Sequence, residues 1–228
     1  MTQQELVDLS EVSLFKDLDI LDLDAFFKKY PLRIQQFEND QLVAEQGDLY
    51  EELIILIQGR VTASMTAPNG KVVRLETLSG PCAAATAVLF SSQKSLPVTL
   101  HANNLCRIVR IPENMIVKLM QTYPSFLRSY LRENGDKLIF LSEKIRLFQF
   151  KSLKQKIISH LLMLSDRQGK DDVDMVYSRE ELAQLMGVAR PSLSREFSNL
   201  ANIGLIEARG KKVLILDRQK LLRAMRDE

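Results

Sequence analysis

The side chains best suited to a chemical task lie between Ser178 and Leu200, in SREELAQLMGVARPSLSREFSNL. Arg190, Ser192, Ser194, Arg195, Ser198 and Asn199 fall on one side of its second half. Leu193, Phe197 and Leu200, spaced four and three apart, share the other side. Short polar groups with two arginines suit the floor of a DNA major groove, where one guanidinium donates to guanine O6 and N7 together. A helical hairpin with a solvated face accounts for the polar residues, but not for the whole arrangement of cap, turn and arginines.

Two short helices must position these groups. Ser178 caps the first, with Glu181 three residues on at capping-box spacing. Arg179, in the first turn, joins the expected DNA contacts. Leu182 and Leu185 form the apolar stripe, and Gly187 supplies the turn because it accepts positive φ. Pro191 suits the first turn of the second helix, where a missing N–H costs nothing. Residues 207–216 then read as two short strands around a basic tip from Arg209 to Lys212. A basic tip beside a recognition helix is the wing of a winged helix-turn-helix. Lys211 and Lys212 would meet phosphates, which fix position but not sequence.

The 228 residues suffice for two cores, with 46% hydrophobic and 26% charged residues, a globular balance. No run approaches the roughly 20 apolar residues of a membrane helix. MTQQELVDLSEV lacks the basic start and apolar middle of a signal peptide, so a cytoplasmic protein with no membrane partner is expected. Net charge is +2, divided as −2 over the first 150 residues and +4 from Lys151 onward, so the half expected to read DNA is the basic one. Cys82 and Cys106 are too few for a disulfide framework or a four-cysteine iron–sulfur cluster. His101 and His160 are far apart, and no metal-ligand spacing or acid–base constellation appears, so no enzyme is expected.

Residues 9–30 carry a helical apolar pattern. From Leu32 to about Arg110 short alternating runs replace it: IQQF, QLVA, ELIILI, RVTASMTA, KVVRLETL, PVTLHA and CRIVRI. Gly47, Gly59, Asn69-Gly70 and Gly80 punctuate them, and Asn-Gly is a hairpin signal. A β-roll of one domain follows. After Pro112 comes a short helix, and Pro124 opens a long one. There Leu127, Leu131, Asn134, Leu138, Leu141, Ile145 and Phe148 alternate steps of four and three, a coiled-coil seam that predicts a parallel homodimer. Asn134 is placed to set its register, and Gly135 beside it costs the helix roughly 1 kcal/mol relative to alanine. Lys151–Leu164 is another amphipathic helix, and the polar DRQGKDDVD after it reads as a loop.

The fold class is therefore α+β: a sensor β-roll over residues 1–122, of the jelly-roll, cyclic-nucleotide-binding-like kind, a dimerisation helix over 123–150, and a winged helix-turn-helix over 151–228. This order resembles the CRP/FNR superfamily of bacterial transcription regulators over nearly the whole chain. EELIILIQGRV, residues 51–61, resembles the family's strand-glycine-strand signature, and residues 178–200 its DNA-reading segment. The resemblance implies a homodimer on a two-fold symmetric double-stranded operator, RNA polymerase as a further partner in an activator, and a β domain that senses a signal.

Two departures stand out. Cyclic-nucleotide-binding members carry Gly-Glu before a Leu-Phe, then Arg-Ser. Aligned on Leu89-Phe90, this chain has Ala85-Thr86 and Leu96-Pro97 instead. The phosphate has lost its cation, so cyclic AMP is not expected as the signal. Cluster-binding members use an N-terminal cysteine group that is absent here, so no iron–sulfur cluster is expected. The small apolar run Cys82–Phe90 suggests an apolar effector or none, with a pocket formed by Cys82, Ala85, Thr86, Leu89, Leu96 and His101. Haem is the alternative, as in nitric-oxide-sensing members, with the HcpR branch as the point of comparison. His101, Met65, Met115, Met120, Cys82 and Cys106 are then the candidate iron ligands, although each is also an ordinary packing residue. The second departure is Pro191, where members often have a glutamate that accepts from cytosine N4. The operator should share only part of the usual sequence.

Overall fold

Alternating β-branched runs bury one face of a strand and expose the other. The computed structural model, which describes residues 2–67, 70 and 72–226, pairs them into two four-stranded antiparallel sheets. Ahead of them come α1 (Gln3–Ser10) and α2 (Ile20–Lys29). The single helix expected over 9–30 is interrupted at 11–19. Asp19 starts α2 by accepting from the Leu21 N–H, while the intervening Val12, Leu14 and Phe15 are fully buried. The strands are β1 (Ile34–Phe37), β2 (Leu42–Ala44), β3 (Glu52–Gln58), β4 (Arg60–Thr66), β5 (Val72–Ser79), β6 (Cys82–Ala84), β7 (Thr99–Ala102) and β8 (Cys106–Pro112), with the one-turn helix α3 (Thr86–Leu89) after β6. The sheets run β1-β8-β3-β6 and β2-β7-β4-β5. Gly59 joins β3 to β4 at φ +101, and a Cβ there would lie 2.6 Å from the Leu105 carbonyl oxygen, so only glycine fits. Asn69 lies outside the described residues.

Two further helices follow, α4 (Glu113–Thr122) and the 24-residue α5 (Pro124–Leu147). The chain divides within α5 into two units, Met1–Asp136 and Lys137–Glu228. The boundary is not at Phe150, and α5 ends before Phe148, because Phe140, Leu147 and Phe150 pack with the second core. Gly135 is helical, with nothing within 4 Å of where its Cβ would stand.

The second unit continues with α6 (Leu153–Gln168), β9 (Asp172–Asp174), α7 (Arg179–Met186), α8 (Arg190–Asn202), β10 (Ile206–Arg209), β11 (Lys212–Ile215) and α9 (Arg218–Arg226). The expected loop at 166–174 thus contains a strand. Val173 alone points inward and pairs with Val213, giving the sheet β10-β11-β9. His160 is enclosed in this core and stacked on Tyr177 at 6.0 Å between ring centroids. Burial pushes its pKa down to about 4, which keeps the imidazole neutral.

Candidate DNA interface and sensor pocket

The capping box of α7 is complete. Glu181 N–H donates to Ser178 Oγ at 3.2 Å, and Ser178 N–H donates to Glu181 Oε2 at 2.7 Å. Gly187 ends the helix at φ +71, and α8 begins after Ala189 with Pro191 in its first turn. Leu193, Phe197 and Leu200 are buried against α7 and the sheet, which leaves Arg190, Ser194 and Arg195 exposed. Ser192 is half-buried and accepts from Arg195 Nη2 at 3.4 Å. Arg190 Nε stands 3.9 Å from Glu180 Oε2, in an exposed and therefore weak pair.

Two expected DNA contacts are already occupied. The Arg179 guanidinium lies 3.7 Å from the centroid of the Phe197 ring, a cation–π contact, and desolvation lowers its pKa. It packs the helix pair instead of reaching outward. On the wing, Lys212 Nζ is 3.4 Å from Asp174 and 3.8 Å from Asp172, because β9 brings both carboxylates beside β11. Arg209 is held by Glu207 on its own strand at 2.8 Å. Lys211, beside the left-handed Gly210, is exposed and forms no ion pair among the described residues.

In the sensor, Ala85 adopts φ +49, the left-handed region that favours glycine. Thr86 and Leu89 are buried behind it, with Cys82 half-buried on β6. The Tyr50 hydroxyl donates to Ala84 O at 2.7 Å and accepts from Ile54 N–H at 3.0 Å. Its burial pushes the phenol up to about 12. Leu96 is buried, and its N–H donates to Asp48 O at 2.9 Å. Lys94, two residues earlier, is paired with Glu113 at 2.5 Å.

His101 is not with the others. Leu100 and Ala102 turn inward from β7, so His101 faces out, lining an open groove of about 610 Å³ with Asp40, Arg74 and Asn103. Cys106 is enclosed, its Sγ 3.1 Å from Arg60 O, while Met115 and Met120 pack from α4 and Met65 lies on β4. These soft ligands sit on different elements and faces. The described residues also hold no metal-binding group of three or more His, Cys, Asp or Glu.

Residues 34–123 match the cyclic nucleotide-binding domain family, and residues 155–224 match the Crp-like helix-turn-helix domain family. The chain belongs to the CRP/FNR superfamily. It is 25% identical over 228 residues to a CRP-like cAMP-activated global transcriptional regulator of Mycobacterium tuberculosis, covering 96% of this chain and 98% of that one. It is 23% identical over 186 residues to the cAMP-activated global transcriptional regulator CRP of Salmonella typhimurium, covering 80% and 89%. The catabolite activator protein of Thermus thermophilus has the same fold, with a TM-score of 0.54 at 19% identity, covering 93% of this chain and 98% of that one. DNR from Pseudomonas aeruginosa gives 0.52 at 20%, covering 98% of each.

In this CRP/FNR regulator with a DNA-binding helix-turn-helix, the residues expected to form a dimer seam are largely exposed. Leu131, Leu138, Leu141 and Ile145 are 62%, 66%, 53% and 69% exposed, and Leu127 is 37% exposed. Phe148, also exposed, lies past the end of α5. Asn134 differs from these, because its amide is engaged within the chain, with Thr86 and the Tyr130 carbonyl. No helix among the described residues is long and apolar enough to cross a membrane.

Proposed function

We propose that this CRP/FNR regulator works as a homodimer on a two-fold symmetric operator and does so without cyclic AMP. The exposed leucine and isoleucine stripe of α5 supports the dimer, since a monomer leaving four such side chains more than half in water forgoes their burial. Two copies would present two α8 helices to successive major grooves, with Arg190 and Arg195 reading bases and Lys211 on phosphate.

The buried Leu96 carries the second half of the reading. A phosphate seated there would meet a methyl-rich side chain, an N–H already given to Asp48, and a proline without one. The neighbouring Lys94 charge is matched by Glu113. An anion buried without a partner is strongly unfavourable. The test is selection of an operator from random sequence, followed by titration calorimetry with cyclic AMP and cyclic GMP. A symmetric site bound equally well with and without nucleotide is the expected result. Tight nucleotide binding that raises operator affinity would overturn the ligand reading, and an asymmetric single site the dimer.

A further inference from the structure

Thr86, Tyr130 and Asn134 close a polar circuit between α3 and α5. The Thr86 hydroxyl donates to Asn134 Oδ1 at 2.9 Å. Asn134 Nδ2 donates to the Tyr130 carbonyl one turn earlier at 2.8 Å, and the Tyr130 hydroxyl returns to the Thr86 carbonyl at 2.6 Å. Thr86 is 1% exposed, and Phe90 caps the group with its ring 5.7 Å from that of Tyr130. The strained Ala85 immediately before it aims Thr86 at α5.

We infer that Asn134 and Thr86 are positioning residues for DNA binding: their bond ties α5 to the sensor fold and presets operator affinity with no effector bound. The inference rests on the cyclic-nucleotide-independent reading above. An effector changes DNA affinity only by binding one arrangement of the protein better than another. A hydrogen bond within the chain biases the same equilibrium at all times, because its partner is never diluted. The circuit also redefines Asn134. A register-setting asparagine in a coiled coil turns its amide to the second helix. Here Oδ1 is given to Thr86 and an amide N–H to Tyr130.

Three variants test this, all without nucleotide: Thr86→Val, Asn134→Leu and Asn134→Asp, with the Thr86→Val/Asn134→Leu double. Operator affinity is read by fluorescence anisotropy and assembly by analytical ultracentrifugation. Thr86→Val and Asn134→Leu should each weaken operator binding about five- to tenfold, the worth of one hydrogen bond. The double should be no worse than either single, and dimers should persist. Asn134→Asp keeps an acceptor for Thr86 but sets a second oxygen against the Tyr130 carbonyl, so it should bind the operator more tightly than Asn134→Leu while falling short of the wild type. Should Thr86→Val not fold, the contrast between Asn134→Leu and Asn134→Asp still decides. Unchanged or tighter operator binding by Asn134→Leu, especially with a tighter dimer, would overturn the inference, as would multiplying losses in the double. Activation of the wild-type protein by cyclic AMP is a separate result, and would fail the underlying reading instead.

Discussion

The α3 turn with the part of α5 it meets and the second helix of the DNA-reading pair both carry short polar side chains, but they use them in opposite ways. Thr86, Tyr130, Asn134 and Tyr50 spend their hydrogen bonds on one another and on nearby backbone. Arg190, Ser194 and Arg195 keep theirs in solvent, with only loose neighbours within the chain. A group already satisfied inside a fold gains little from a ligand, whereas an exposed guanidinium gains charge-assisted bonds from a nucleic acid. On the proposed reading, recognition belongs to the second unit and self-restraint to the first.

The largest effect should come from removing the means by which two reading helices act together. Leu138→Asp with Leu141→Asp places like charges in the proposed seam while leaving the chain's own core intact, since both positions are exposed. Sedimentation should show monomers, and operator affinity should fall about 100-fold or more as the second half-site contact ceases to be intramolecular. Dimers that persist unchanged would refute the register. Within the reading unit, Arg195→Ala should cost about 1–3 kcal/mol and relax selectivity at one position per half-site. Lys211→Ala should instead weaken all sequences alike and lower the salt slope by about one, with Lys212→Ala doing less because Asp172 and Asp174 already match its charge. Competition binding at several salt concentrations separates the three. Smallest is Ala85→Gly, which relieves a left-handed alanine in the sensor. It should raise stability by up to about 1 kcal/mol in denaturant melts. A lower stability would mean that the turn is not strained.

Most strands of the two sheets were legible as short β-branched or alternating runs between turn residues, and α7 and α8 because the α7 cap, Gly187 and Pro191 mark their ends. What escaped is short or depends on distant partners. Strand β6 is Cys-Ala-Ala, and β9 has a single inward residue, so neither has a period to detect. The interruption at 11–19 hides inside a pattern whose apolar residues, Val12, Leu14, Phe15 and Leu18, continue across it. Helix α9 was not anticipated. Arg179 and Lys212 count as free charge in a sequence, yet Phe197 and the β9 aspartates claim them. Asn134 looked like a seam residue because its partner, Thr86, lies 48 positions away.

Gly135 follows directly on Asn134, and this order has a mechanical meaning. A helix rises 1.5 Å per residue, so the stretch from Gly135 to Leu147 is a rod of about 18 Å. Gly135, one residue beyond the one that Thr86 holds, costs the helix roughly 1 kcal/mol relative to alanine and carries no side chain to brace it. A deflection of about 10° at that point sweeps the tip through roughly 3 Å, comparable to a hydrogen-bond length. Were the helix to bend there, the displacement would grow toward Leu147 while the Thr86 bond stayed intact.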